Sequence, residues 1–353
     1  MRFPEFSGEW ENLSLNDIVL EKKKRVSSST LTTSTYISTE NMLQNFAGVS
    51  KANGVPSNNV VEYKIGDILI SNIRPYLKKI WLANQNGGCS SDIIVLSPCE
   101  NYDGSFVYYL LANDGFVSYV MSGAKGLKMP RGDKQQILKY GISIPSLKEQ
   151  RKIAALLDLF DQHIETQKKI IEDLKKLKAA ICIFKLKSHC EKEYAIRELC
   201  QSITAKQYIA NEITSEGAYP IIQQGENSIA GYTDSLPFLN YKKVILLGDH
   251  TLSIYRPETP FLIATDGIKI LKPNEMVIRD YFYYLLYTFM PEPEGYKRHY
   301  SILKDIIVPI PNIKMQESIV DKLLSIDSKL EIEERILELQ IQQKQYLLNR
   351  LFI

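Results

Sequence analysis

Two stretches of the chain carry apolar residues in alternating steps of four and three. The first holds Ile153, Leu157, Phe160, Ile164, Ile171, Leu174 and Ile181; the second holds Ile319, Leu323, Ile326, Leu330, Leu337, Leu347 and Leu351. This spacing keeps one face of an α-helix apolar and is the seam pattern of a coiled coil. Polar residues interrupt both seams at matching steps, Gln167 with Glu333 and Lys178 with Lys344, while Leu174 has a polar counterpart in Gln340. The two stretches therefore share one register. Neither proline nor glycine occurs between 146 and 186 or between 312 and 353, so each predicts a helix of about 35 to 40 residues, roughly 50 to 60 Å at 1.5 Å per residue. A lone amphipathic helix of that length cannot bury its stripe, and antiparallel packing of the two on each other solves this for both. The expected packing residues are Ile153, Leu157, Phe160, Ile164, Ile319, Leu323, Ile326 and Leu330. The alternative is two independent partner-binding helices.

The seams belong to a longer repeat. Ile142-Ser-Ile-Pro145-Ser-Leu147-Lys-Glu-Gln150 returns as Val308-Pro-Ile-Pro311-Asn-Ile313-Lys-Met-Gln316, and each copy opens a helix. Upstream, Phe106-Val-Tyr108-Tyr109-Leu110-Leu111 matches Tyr281-Phe-Tyr283-Tyr284-Leu285-Leu286, and Asp92-Ile-Ile-Val-Leu96-Ser-Pro98 is answered by Gly267-Ile-Lys-Ile-Leu271-Lys-Pro273. In each half, β-branched runs (Ile65 to Ile73 and Ile93 to Leu96; Val244 to Leu247 and Ile268 to Leu271) precede one short aromatic helix, the pattern of an α+β domain. The expected organisation is a globule over 1–141, a helix over 142–187, a second globule over 188–307 and a second helix over 308–353. Phe238, Tyr241 and the Tyr281 to Tyr287 cluster resemble stacking platforms for bases, but their helical spacing points to core packing.

A length of 353 residues suits two domains, and 44% hydrophobic with 24% charged residues is ordinary for a folded globular chain. No apolar run approaches the roughly 20 residues that span a bilayer, and the opening Met-Arg-Phe-Pro-Glu has no apolar targeting core. The chain is expected in the cytoplasm, with no membrane association. Cys89, Cys99, Cys182, Cys190 and Cys200 form no Cys-x-x-Cys pair, which suits a reducing compartment and suggests neither disulfides nor a zinc knuckle. Net charge is only +2, although segment 142–190 carries 10 basic against 6 acidic groups. A polyanion would have to be met by local patches.

Catalytic signatures are missing. There is no Pro-Pro dipeptide, hence no Asn/Asp-Pro-Pro-Tyr/Phe pocket of amino methyltransferases. Gly123-Ala-Lys-Gly126-Leu-Lys128 lacks the spacing and the hydroxyl of a nucleotide-phosphate loop. His163, His189, His250 and His299 are isolated, and the His189-Cys190 dipeptide alone makes no tetrahedral site. Glu21-Lys22-Lys23 sits in a charge run, which reads as a solvated face. What remains are loops rich in the side chains that donate to phosphates and read base edges. In the first globule these are Ser71, Asn72 and Arg74, Lys78 and Lys79, Ser91, and the glycine-punctuated Lys125, Lys128 and Arg131. In the second they are Gln223, Gln224, Asn227, His250, Thr251, Tyr255, Arg256, Lys297 and Arg298. Taken singly each is more often a solvated loop residue, but their recurrence after equivalent strands in both halves raises the joint claim.

The arrangement resembles the specificity subunit of Type I restriction-modification systems over essentially the whole chain. Arg2-Phe-Pro-Glu-Phe-Ser-Gly-Glu-Trp10 with Leu15-Asn-Asp17-Ile18 looks like a common start of such subunits. Ile144-Pro-Ser-Leu-Lys-Glu-Gln150-Arg-Lys-Ile-Ala resembles their central conserved helix, and Pro309-Ile-Pro-Asn-Ile-Lys-Met-Gln316 its C-terminal copy, with Met315 where Glu is usual. Gly248-Asp-His-Thr251 with Ala264-Thr-Asp-Gly267 is similar to a strand-loop pattern of their target recognition domains. The resemblance implies two target recognition domains held apart by an antiparallel pair of conserved helices with pseudo-twofold symmetry. Each domain would read one half of a split, asymmetric sequence in double-stranded DNA, with the helices setting the unread spacer. Two modification (methyltransferase) subunits and restriction (translocase-nuclease) subunits would supply the chemistry. S-adenosylmethionine, ATP and magnesium would bind those partners, leaving this chain non-catalytic and without cofactor or metal. The competing expectation is a coiled-coil adaptor that joins proteins and has no DNA specificity.

Overall fold

In a computed structural model of the chain, which describes residues 2–188, 192–225, 227–293, 295 and 297–352, the two seams form helices Leu147–Ser188 and Ile313–Leu351. By its contacts the chain divides into two units, Met1–Gln167 with Ile336–Ile353, and Lys168–Arg335. Each unit takes half of each long helix, so the helices form no third body. His189 and Cys190 lie outside the described residues.

The first unit is built on an antiparallel four-stranded sheet in the order Val19–Glu21, Ile93–Pro98, Ile68–Ser71, Ile80–Leu82. Strand Ile68–Ser71 is buried along its whole length because the aromatic helix Gly104–Leu111 and its neighbour Asp114–Ser122 cover one face, while a smaller sheet packs on the other around Tyr63, Trp81 and Leu69. Asp103 caps the aromatic helix by accepting from the Phe106 N–H, and Asn113 does the same for the next helix at Phe116. A two-stranded ribbon, Glu11–Ser14 against Gly141–Ile144, ties the start of the globule to the residues that feed the central helix. Residues 142–144 thus pair as strand, and the helix begins at Leu147.

The second unit repeats this plan. Its sheet runs Cys200–Ile203, Ile268–Pro273, Ile245–Gly248, Ile254–Tyr255, covered by the aromatic helix Arg279–Thr288. Its ribbon joins Lys192–Ala195 to Ile307–Ile310 just before the second long helix. Of the suspected stacking aromatics, Phe238, Tyr281, Phe282 and Tyr284 are core residues and Tyr287 is exposed.

Inside each unit the long helices run antiparallel. In the first, Ile153, Ala154 and Leu157 share a core cluster with Leu348 and Leu351. In the second, Cys182 and Leu186 share one with Ile319, Val320 and Leu323. Ile153, Leu157, Ile164, Ile319, Leu323 and Leu330 are buried, whereas Phe160 and Ile326 are only half-buried. The repeated glutamines join each helix to its globule. Gln150 donates to the Pro145 carbonyl and accepts from the Asp103 N–H, both at 2.9 Å. Gln316 donates to the Pro311 carbonyl at 2.9 Å and accepts from the Ile278 N–H at 3.0 Å. Both side chains are buried, and each fixes the residue that precedes an aromatic helix. Beside Gln150, buried Glu149 takes two bonds of 2.8 Å from Arg2; Met315, at the matching place, packs against the apolar core and has no charge to pair.

Candidate nucleic-acid interface

In the first unit the candidate loops meet beyond the end of strand Ile68–Ser71. Ser71 is buried there and its hydroxyl donates to the Ile73 carbonyl. The Asn72 N–H donates to Asp92, the Gly132 N–H to Asn72 and the Arg74 N–H to Pro130, which joins segments 72–74, 92 and 130–132. Lys125 and Arg131 exchange two backbone bonds of 2.9 Å, closing a narrow loop over 126–130. Arg74 and Lys78 bracket the single turn Pro75–Leu77 in left-handed conformations, φ +51° and +55°. Non-glycine residues adopt this region at a cost, and such strain concentrates at binding loops.

The cations of this patch are not equivalent. Arg74 and Lys128 are exposed and form no ion pair among the described residues. Arg131 and Lys125 make loose contacts of 3.3 Å with Asp92 and Asp133. Lys78 pairs with Asp114 at 2.6 Å, and Lys79 donates to the Thr39 carbonyl at 2.6 Å. Burial, with Arg74 nearby, pushes the Lys79 pKa down. These two lysines anchor the loop. The Asn72 side-chain oxygen is buried below Gly132, so only its amide nitrogen remains for a base. Ser91 is exposed beside Asp92.

In the second unit Asp249 organises the loops. Its N–H donates to the Gly267 carbonyl, its carboxylate accepts from the Tyr300 N–H at 2.8 Å, and its own carbonyl accepts from the His299 N–H. Asp249 thus joins the Gly248-Asp-His-Thr251 and Ala264-Thr-Asp-Gly267 motifs and holds segment 297–300 against them. Gln224 accepts from the His250 N–H, and a Cβ at either Gly248 or Gly267 would collide with it at 2.7 Å. The two glycines therefore make its room. Gln223 donates to the Asn227 carbonyl within its own turn, Thr251 bonds Ser253, and His250 contacts the Lys297 carbonyl. Arg298 stands 3.9 Å from Asp266, on an open cleft of about 300 Å³ that Lys206 and Lys269 also line.

Two candidates are engaged elsewhere. Tyr255 packs against a core cluster of the second unit that includes Ile222, Phe238, Leu246 and Phe261. Arg256 is drawn toward Glu258 at 3.2 Å and Asp280 at 3.7 Å and lies over the Tyr283 ring. Burial works against its charge, but Asp280, Tyr284 and Glu258 more than offset it and raise its pKa. Nothing in the local sequence marks Lys206 or Lys269, and the one signal for Asp249 is its place inside Gly248-Asp-His-Thr251. Among the described residues no group of three or more His, Cys, Asp or Glu could hold a metal ion, and no helix is long and apolar enough to cross a membrane.

Comparison with known proteins places this geometry. The family model described as "Type I restriction modification DNA specificity domain" matches twice, over residues 7–176 and 191–342. A curated relative, the Type I restriction enzyme MjaVIII specificity subunit of Methanocaldococcus jannaschii, is 25% identical over 286 residues, 66% of each chain. The Type I restriction enzyme EcoDI specificity subunit of Escherichia coli is 23% identical over 177 residues, 50% of this chain and 35% of that one. The chain thus spans about two thirds and one third of the lengths of these two relatives. A crystal structure of a Type I restriction-modification S subunit from M. genitalium superposes with a TM-score of 0.66 at 18% identity, covering 100% of this chain and 99% of the other. A second structure, from work on assembly and conformational transition of the Type I restriction-modification system, gives 0.59 at 16% identity, with 98% of each covered. With two matches that take in nearly all of its length, each over one globule and most of the helix that follows, this chain belongs to the Type I restriction-modification DNA specificity family.

Proposed function

We propose that this chain is the DNA sequence-recognition subunit of a Type I restriction-modification complex and that each unit reads one half of a bipartite target in double-stranded DNA. The observation that carries this is the duplication of a basic loop patch past the end of equivalent sheets: Arg74, Lys128 and Arg131 in one unit, Lys297 and Arg298 in the other. Exposed cations position a protein on phosphates, and neighbouring polar groups such as Asn72, Ser91 and Thr251 read base edges. The antiparallel helices set the unread spacer, because their length fixes how far apart two half-sites can be read.

Two modification subunits dock on the long helices, which keep Leu159, Leu177, Ile332 and Leu339 exposed although these are large apolar side chains. Restriction subunits join that assembly. S-adenosylmethionine, ATP and magnesium bind the partners, and the complex works in the cytoplasm. The same exposed residues favour the second reading, an adaptor that joins proteins and has no DNA specificity.

A gel shift of the chain with and without its modification subunits, together with mapping of methylated adenines in the host genome, tests the proposal. A bipartite motif lost on deletion of this chain is the expected result. Assembly of the partners with no dependence of DNA binding on this chain would favour the adaptor.

A further inference from the structure

The loop closed by Lys125 and Arg131 presents an apolar tip. Leu127 is fully exposed and Met129 is half out of the surface at 51%. The base of the loop, by contrast, is fixed. Lys125 and Arg131 are bridged through their backbones, Pro130 and Gly132 are buried, and Pro130 accepts from the Arg74 N–H. Gly126, at φ +99°, makes the turn that sends Leu127 outward. The anchored loop thus keeps a large aliphatic side chain in water, and burial of that side chain on an apolar surface would be favourable.

The surroundings identify what covers it. Lys125, Lys128 and Arg131 stand within seven residues, Arg74 is joined to the same loop, and residues 115–132 contain no acidic side chain. An apolar point rimmed by cations complements nucleic acid, whose phosphates take the rim and whose bases offer the apolar surface. It does not suit an apolar protein partner, which would bury Arg74 and Lys128, neither of them ion-paired among the described residues, without a counter-charge. We propose that Leu127, supported by Met129, is a specificity-determining residue that is buried on the apolar surface of a base in the half-site read by the first unit. That surface is either the C5-methyl of thymine or the face of a base at an opened step; aliphatic wedges of this kind are used to unstack base steps. This inference rests on the DNA-reading proposal above.

The test uses the chain assembled with its modification subunits and a duplex carrying the methylated motif mapped in the host genome. Leu127→Ala should weaken binding by about 10- to 100-fold, the range for burying a leucine side chain, with the loss confined to changes in one half-site and with Leu127→Met close to the unsubstituted chain. Replacing thymine by uracil in that half-site should reproduce the loss if the methyl is the contact. If the base face is the contact, 2-aminopurine at a step in that half-site should brighten with the unsubstituted chain and not with Leu127→Ala. Unaltered binding by Leu127→Ala, with Lys128→Ala and Arg131→Ala weakened, would overturn the inference and leave DNA reading standing. Unaltered binding by all three would overturn both for this loop. Failure of Leu127→Ala to assemble with the modification subunits would make the occupant a protein and also overturn it.

Discussion

Lys178 on the central helix meets Asp327 on the C-terminal helix at 2.6 Å, and Tyr284 of the second unit's aromatic helix donates to the other oxygen of that carboxylate at 2.6 Å. The first unit builds the same triad from Lys344, Asp161 and Tyr109, with Asp158 as a further acceptor for the tyrosine. Each lysine lies over the ring of its tyrosine, at 5.4 Å and 5.2 Å. Burial and the adjacent carboxylates push both tyrosine pKa values up, which keeps the hydroxyls protonated as donors. The lysines that interrupt the two seams are therefore cross-helix contacts that also hold each globule to its helix pair.

Replacing Asp327 by Ala should destabilise the second unit by about 2 kcal/mol, since it strands a largely buried lysine and a tyrosine hydroxyl. Urea unfolding measures this. Combining Asp327→Leu with Lys178→Met should cost less than Asp327→Ala alone; an equal or larger loss would show that the triad is not a coupled unit.

Gln150→Leu and Gln316→Leu should each cost roughly 1 to 3 kcal/mol, because each leaves a half-buried N–H and a buried carbonyl without this partner. Hydrogen exchange should report the loss locally, at the first turns of Gly104–Leu111 and Arg279–Thr288 respectively. Protection unchanged at those turns would contradict the linkage.

The two seam positions Leu157 and Phe160 should respond in reverse order of size. Leu157 is fully buried and Phe160 is not, so Leu157→Ala should cost about 2 to 5 kcal/mol and Phe160→Ala less than the roughly 3 to 5 kcal/mol of a core phenylalanine. Paired denaturation curves decide it.

Alkali should weaken the first unit. Burial pushes Tyr63 up to about 12 from 10.0 and Cys89 up to about 12 from 9.0. Both groups stay protonated in the folded chain when the unfolded chain has lost its protons, so their stabilisation is complete below the unfolded values and declines as pH rises through the folded ones. Unfolding free energy should therefore fall between about pH 9 and pH 12, and Cys89→Ala should flatten that fall. A flat profile in the unsubstituted chain would be inconsistent with these buried acids.

Arg298→Ala and Arg256→Ala should part company. If Arg298 contacts phosphate, its loss should weaken binding to every sequence and lower the salt slope by about 1. Arg256, held by Glu258, Asp280 and Tyr283, should instead show its loss in thermal stability. A change of recognised motif with stability intact would assign Arg256 to base reading.

Periodicity and the absence of proline and glycine are local properties, and they sufficed for both long helices and their shared register, while the repeated motifs and β-branched runs gave the two similar globules. A helix stripe must be buried wherever it lies, so the seam could be read before any partner was known. The availability of the loop cations could not be read in that way. Lys78 and Lys79 are basic loop residues like Arg74 and Lys128, and only the fold brings Asp114 and the Thr39 carbonyl to the first two. Asp249 likewise became the organiser of its loops only once Gly267, His299 and Tyr300 were folded onto it. A charge is free or engaged according to acceptors that lie tens of residues away along the chain, and their approach is decided by the packing of the sheets, to which local sequence pattern is blind.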